Sequence, residues 1–373
     1  MTMTLRRIIL GGALAAAVLP VMTPQAAAQQ TRLLTAEKHN EYGLVYSLPL
    51  TALRIEVEAR HESRKAGPYW QYAKKYVGTD RAVTHDSESW TITRVTVTPY
   101  GVSDNSRQYL MQLKPGATTY IGVGDDGMLL SINRRPEPIN TSPAAAPARN
   151  DVTADRIAPG EYLQYVNEDF IASQSSAKQA SMLAETLMEI RDAKVSLTRG
   201  TADSMPKDGR QLELMLNSLA HQEAAMTSAF LGITDVETVT RTYTFLPDAE
   251  GNSVLFRLSD FAGFVDADDY SGAAVRVNIR TTDPAQLPVD AKGETKKVPK
   301  DAVMYCIPGS AQVTLTFDDA ILYDGELDFA QFGMEFGLNP ILFTDKKSPS
   351  YAIFDPATGA LKEIGVMREE DMP

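Results

Sequence analysis

The chain has 373 residues, 43% of them hydrophobic, a formal charge of −12 and one cysteine. That much apolar surface argues against wholesale disorder, and the length fits two or three domains. The negative charge, without a long Lys/Arg cluster, speaks against nucleic acid and anionic lipid as partners, and a lone thiol, Cys306, allows neither an internal disulfide nor a Cys-based zinc site.

Residues 1–28 read as a cleavable secretory signal peptide. Arg6-Arg7 is a short basic start, Ile8 to Val21 is nearly all apolar, and Ala26-Ala27-Ala28 gives an A-x-A cleavage site before Gln29. The apolar run contains Pro20 and is too short for an ordinary spanning helix, the alternative being an uncleaved anchor. The paired arginines fit the twin-arginine route, although a general secretory signal would look the same. No cysteine follows the cleavage point, which speaks against a lipoprotein anchor. Removing Arg6 and Arg7 takes the charge from −12 to −14. No later run of 18 apolar residues occurs, so no transmembrane helix is expected in the mature chain.

Residues 29–133 are expected to form an N-terminal β-rich domain. Leu53 to Glu58 and Trp90 to Val97 alternate with period two, and Tyr109 to Leu113 and Thr119 to Val123 are further candidate strands. Asp125-Asp126-Gly127 is a turn signal before a strand over Met128 to Ile132. Residues 134–160 hold Pro136, Pro138, Pro143, Pro147 and Pro159 among Ala, Asn and Thr, and read as an exposed linker.

Residues 161–232 carry helical periodicity. Ala180, Leu183, Leu187, Ile190 and Leu197 form one stripe, interrupted by Lys194. Leu212, Leu216, Leu219, Met226 and Phe230 form a second, interrupted by Glu223. Gly200 to Gly209, with Pro206, separates them. Asp208 and Gln211 have capping-box spacing, and Gly232 is a stop signal. The expectation is an antiparallel helical hairpin with a first helix of about 28 residues, roughly 42 Å long. Its stripes either pack internally or form an arm that grips a partner. Residues 233–373 return to β patterning, with candidate strands Val239 to Leu246, Val254 to Leu258, Ala274 to Arg280, Val313 to Phe317 and Tyr351 to Phe354. The fold class expected is α+β: two mainly antiparallel β-rich modules with the hairpin between them.

Two stretches echo each other. Tyr46-Ser47-Leu48-Pro49 resembles Tyr305-Cys306-Ile307-Pro308, and Gly127-x-Leu129-x-x-Ile132 resembles Gly359-x-Leu361-x-x-Ile364. A duplicated β module predicts that both Y-x-[LI]-P segments enter equivalent strands.

Tyr46 to Pro49, Gly67 to Gly78 and Trp90-Thr91-Ile92, then Ile190 to Ala193, Met205 to Gly209 and Gln222-Glu223, and finally Tyr305 to Gly309 and Phe354 to Ala360, together resemble a family of exported proteins of Bacteroidetes-type bacteria known only as a domain of unknown function. The resemblance covers nearly the whole mature chain. It implies a periplasmic or outer-membrane-associated setting in a Gram-negative bacterium and carries no catalytic residues.

His39, His61, His85 and His221 lack metal-ligand spacing, and no G-x-S-x-G or phosphate-binding glycine motif occurs. Asp266 to Gly272 departs from a calcium loop, with Tyr270 in the fifth position and Gly272 in the seventh. Cys306 sits in an apolar run and reads as a buried structural thiol. No catalytic residue, metal ligand or cofactor is expected. The one candidate recognition feature is aromatic: Tyr69, Trp70, Tyr72 and Tyr76. Tyr72 and Tyr76 are four apart and share a face on a helical turn. These rings either pack the turn onto its neighbours or meet a sugar or protein partner. The functional expectation is a non-enzymatic exported binding or scaffolding protein of the bacterial envelope, its partner an envelope protein or glycan. The alternatives are an envelope hydrolase working through unidentified carboxylates and an outer-membrane assembly or chaperone-like accessory.

Overall fold

The computed structural model describes residues 30–33, 43–112, 120–136, 156–345 and 348–367. The signal segment and most of the 134–160 linker lie outside the described residues. The protein is α+β and β-rich, and the three sheets among the described residues are antiparallel. The strands in chain order are β1 (Gln30–Leu33), β2 (Leu44–Lys65), β3 (Ser87–Gln112), β4 (Ile121–Val123), β5 (Leu129–Ile132), β6 (Ile233–Phe245), β7 (Gly251–Ser259), β8 (Gly263–Val265), β9 (Ala273–Asp283), β10 (Val303–Phe317), β11 (Ala320–Leu338), β12 (Ser350–Phe354) and β13 (Leu361–Val366). The helices are α1 (Ala73–Tyr76), α2 (Glu168–Ala172), α3 (Ser176–Arg199), α4 (Gly209–Leu231) and α5 (Ile341–Thr344).

The sheets run β1-β3-β2-β6, β11-β10-β9-β7-β8 and β13-β12-β5-β4. Two of them therefore take strands from both sides of the helical stretch: β6 pairs with β2, and β12 pairs with β5. The limits at 133 and 233 are boundaries in the sequence and not in the hydrogen-bonded sheets. The alternation over Leu53–Glu58 sends Leu53, Ile55 and Val57 inward, where they meet Phe256, Val275, Val277, Val313, Leu315 and Phe329 of the five-stranded sheet. Burying each such side chain contributes about 1.5–3 kcal/mol. A second core gathers Tyr46, Tyr109, Met111, Ile132, Tyr305, Cys306, Phe343 and Phe354 around the small sheet.

Three sequence expectations change in detail. Trp90 to Val97 and Tyr109 onward are parts of a single 26-residue strand, β3, because both ends find backbone partners on β2. The first long helix has 24 residues, because Ser175 caps it and separates it from α2. Strand β11 was not anticipated. Its Asp324-Gly325 pair looks like a turn, yet it lies opposite Thr314 and Val313 within the ladder, and the actual reversal uses Asp318 and Asp319, with Asp318 at φ 50°.

The echoed segments do enter equivalent strands. Pairing of β2 with β3 jumps from Ser47–Gln108 to Pro49–Ser103, setting four residues of β3 out of register. Pairing of β10 with β11 jumps from Ile307–Met334 to Gly309–Phe329, again setting four residues aside. The amide of Ser47 donates to the Gly127 carbonyl at 2.9 Å, and that of Cys306 donates to the Gly359 carbonyl at 3.1 Å. Gly127 and Gly359 both hold positive φ, 80° and 69°, the conformation that favours glycine at each turn.

Candidate functional site: the helical lobe

Just past the end of the long strand β2, at Gly67-Pro68, the chain meets the last turn of α4. A side chain at Gly67 would put its Cβ 2.4 Å from the Ala229 carbonyl oxygen, so only glycine allows this approach. The Tyr69 amide then donates to that same carbonyl at 2.9 Å. A 3-10 turn over Trp70–Tyr72 leads into α1. On the other side of the lobe, a 3-10 turn over Glu161–Tyr165 precedes α2.

The four aromatic residues separate by role. Tyr69 is buried, its ring set edge-on to Tyr162 and Phe170 at 6.1 Å and tilted against Phe230. Its hydroxyl donates to Gln179 at 3.2 Å, and burial, with Tyr162 beside it, pushes its pKa up to about 12. Tyr72 and Tyr76 share one face, with centroids 6.4 Å apart. Both are half-buried, Tyr72 reaching Ser176 and Tyr76 lying 6.1 Å from Phe230. Trp70 alone is turned outward, 36% exposed. Three of the four thus help to fasten α1 to the hairpin, and one faces solvent.

In the hairpin, Ala180, Leu183, Ala184, Leu187 and Ile190 of α3 are buried with Met226, Ala229 and Phe230 of α4. The two polar interruptions of the sequence stripes are partners. Glu223 accepts from Arg191 Nε at 2.8 Å and from Lys194 Nζ at 2.7 Å. The Lys194 bond, with Arg191 adding to it, holds its carboxyl below the usual carboxylate range. Asp208 caps α4 through the Arg210 amide at 3.3 Å. His221 lies 2.5 Å from Glu161, whose carboxyl is held low first by the Ala158 amide and then by His221. Towards the hairpin's turn the apolar surface opens: Val195 on α3 and Leu214 and Met215 on α4 are exposed.

Grooves among the described residues flank the hairpin, and two of them bear on the lobe. One, of about 550 Å³, is lined by Arg156, Arg191, Glu223, Thr227, Thr234 and Asp235. Its charged groups pair off, Arg191 with Glu223 and Arg156 with Asp235. The other, of about 590 Å³, lies between Lys75–Tyr76 of α1 and Ser181, Ala184, Glu185, Met188 and Glu189 of α3. Of the residues of this second groove the sequence singles out Tyr76, and not those of α3. The readable signal was Met188, an apolar residue on the polar side of an amphipathic helix.

Away from the lobe, His61 on β2 stacks on Trp90 at 4.2 Å, with Nε2 2.8 Å from Glu88 and Nδ1 3.0 Å from Glu237. His85 turns to Thr84, and Asp86 accepts the Ala66 amide, so these two neighbours go separate ways. In the Asp266–Gly272 turn, Asp269 accepts the Ser271 amide at 2.9 Å. Cys306 is buried, and that burial pushes its thiol pKa up to about 11, against the lowering pull of Arg107. Among the described residues no group of three or more His, Cys, Asp or Glu side chains is arranged to hold a metal ion, and no helix is long and apolar enough to cross a membrane.

These features define a β-rich α+β protein with an attached helical lobe, and the family assignment fits that outline. The chain belongs to the family described as Domain of unknown function (DUF4831), whose model matches residues 42–362. No curated protein and no solved structure matches the chain.

Proposed function

We propose that this chain is an exported, non-enzymatic binding or scaffolding protein of the bacterial envelope, and that its helical lobe meets the partner. The observation that carries the reading is the exposure of Met188, Val195, Leu214 and Met215 on a hairpin whose opposite surfaces are already buried. Exposed apolar groups on both helices of the hairpin favour a protein partner. A protein is preferred over a glycan because Trp70 alone of the four aromatic residues presents a free ring. One groove-lining carboxylate, Glu223, argues against the hydrolase alternative. Glu223 is ion-paired and held low, the opposite of the raised pKa a general acid needs. Export rests on the 1–28 signal segment.

Photo-crosslinking tests the reading. A crosslinkable residue placed at Val195, Leu214 or Met188 in cells is expected to trap a discrete envelope protein, whereas the same residue at Thr98, on the β2–β3 sheet, is not. Adducts absent from all three lobe positions, or equal at Thr98, would overturn it. Cell fractionation that leaves the protein in the cytoplasm would overturn the envelope setting.

A further inference from the structure

We propose that the groove between α1 and α3 docks a basic, amphipathic helical segment of a partner protein, an inference that rests on the helical lobe being the recognition region. The apolar part of the groove's lining comes from Ala184, Met188 and the Tyr76 ring. The apolar line continues along α3 to Val195, seven residues beyond Met188 and so on the same face; each of the two is 42% exposed. Acidic side chains border that line: Glu185 and Glu189 at the groove, and Asp192 one turn further.

Those three carboxylates have no ion-pair partner among the described residues. The contrast with the inner side of the same helix is sharp, since Glu223 there takes two cations. Lys75, the one cation lining the groove among the described residues, makes no ion pair with these carboxylates. Its ammonium lies over the Tyr76 ring at 4.7 Å and donates to the Tyr76 hydroxyl at 3.1 Å. The groove therefore offers an apolar strip beside an excess of negative charge, the carboxylates of Glu185, Glu189 and Asp192 against the single ammonium of Lys75.

A segment that fits it carries apolar residues at helical spacing with Lys or Arg beside them, the helix-in-groove mode. From Glu185 to Val195 the helix rises about 15 Å, which matches roughly three turns of a partner helix. An anionic membrane would present the same apolar chemistry with the wrong charge, and the chain's overall −12 adds to that repulsion.

The test uses the full chain and two labelled 16-residue peptides read by fluorescence anisotropy. Both carry Leu at i, i+3, i+4 and i+7; one has Lys at the flanking positions and the other Glu. The Lys peptide is expected to bind at least about tenfold more tightly than the Glu peptide. The double variant Glu185→Lys/Glu189→Lys should reverse that preference, and Met188→Asp should weaken the Lys peptide about tenfold or more. Thr98→Asp, at an exposed position of the β2–β3 sheet, should leave its affinity unchanged. Circular dichroism checks folding, with Glu189→Gln as the milder substitution if the double variant does not fold. Absence of binding, equal binding of the two peptides, or indifference to the groove substitutions would overturn the proposal. So would Met188-dependent sedimentation with phosphatidylglycerol vesicles. Crosslinking at Leu214 with failure of the peptide would remove the groove and leave the lobe reading standing. Loss of every lobe crosslink would remove the reading itself.

Discussion

The Tyr46 hydroxyl and the Met304 backbone are joined in both directions: Tyr46 Oη accepts the Met304 amide at 2.8 Å and donates to the Met304 carbonyl at 3.2 Å. Tyr46 is fully buried, so this side chain ties β2 to β10 from inside the second core. Burial also holds its phenol in the protonated, donating form well above the ordinary tyrosine range. Replacing Tyr46 with Phe keeps the ring and leaves the Met304 amide and carbonyl without this partner. The expected loss is about 1–3 kcal/mol, read from the midpoint of urea unfolding. A change within a few tenths of a kcal/mol would show that the bond is not a significant tie.

Cys306 should be chemically silent in the folded protein. It is buried, and its thiol is pushed up to about 11, so little thiolate exists at pH 8. Ellman's reagent at that pH is expected to react only after denaturant is added. Stoichiometric labelling of the native protein would contradict the burial.

Glu223 makes the hairpin sensitive to acid. Its folded pKa is depressed by Lys194 and Arg191, so its contribution is fully present above the unfolded carboxylate value of about 4.3 and is lost as pH falls through the lower folded value. Hydrogen exchange in α3 and α4 should therefore accelerate as pH drops below about 4, once corrected for the intrinsic exchange rate. The Glu223→Gln variant should lose that dependence and be less stable than the parent at pH 7. Identical pH profiles for the two proteins would refute the assignment.

Gly67 sets how closely the lobe sits against the end of β2. Its Cβ would meet the carbonyl oxygens of Ala229, at 2.4 Å, and of Ser228, at 2.7 Å, so Gly67→Ala forces backbone apart. A cost of about 1–3 kcal/mol is expected, in the range of overpacking. The thermal midpoint should fall, and exchange protection should be lost first at Tyr69 and in the last turn of α4. Gly78→Ala, where φ is 81° but the space is open, supplies a control for strain without a clash.

Much of the local structure was legible in the sequence, because period-two and period-3.6 patterns are short-range properties. Leu53 to Glu58 lies in a strand, Ser176 to Leu231 holds two helices broken where Gly200 to Gly209 separates the stripes, and Gly127 sits at a turn. The echo of Tyr46-Ser47-Leu48-Pro49 in Tyr305-Cys306-Ile307-Pro308 was visible as well, since like sequences impose like bulges. Partnership was not legible. Lys194 and Glu223 each looked like a flaw in an apolar stripe, and only the antiparallel packing of α3 on α4 makes them a pair. The sharing of β6 and β12 across the helical stretch was equally hidden, because strand pairing depends on which edges meet and leaves no local periodic mark. The four aromatic residues carry the same lesson. Their spacing put Tyr72 and Tyr76 on one face, but whether a ring is buried or free depends on what packs over it. The tertiary structure buries Tyr69 against Tyr162, Phe170 and Phe230 and turns Trp70 to solvent.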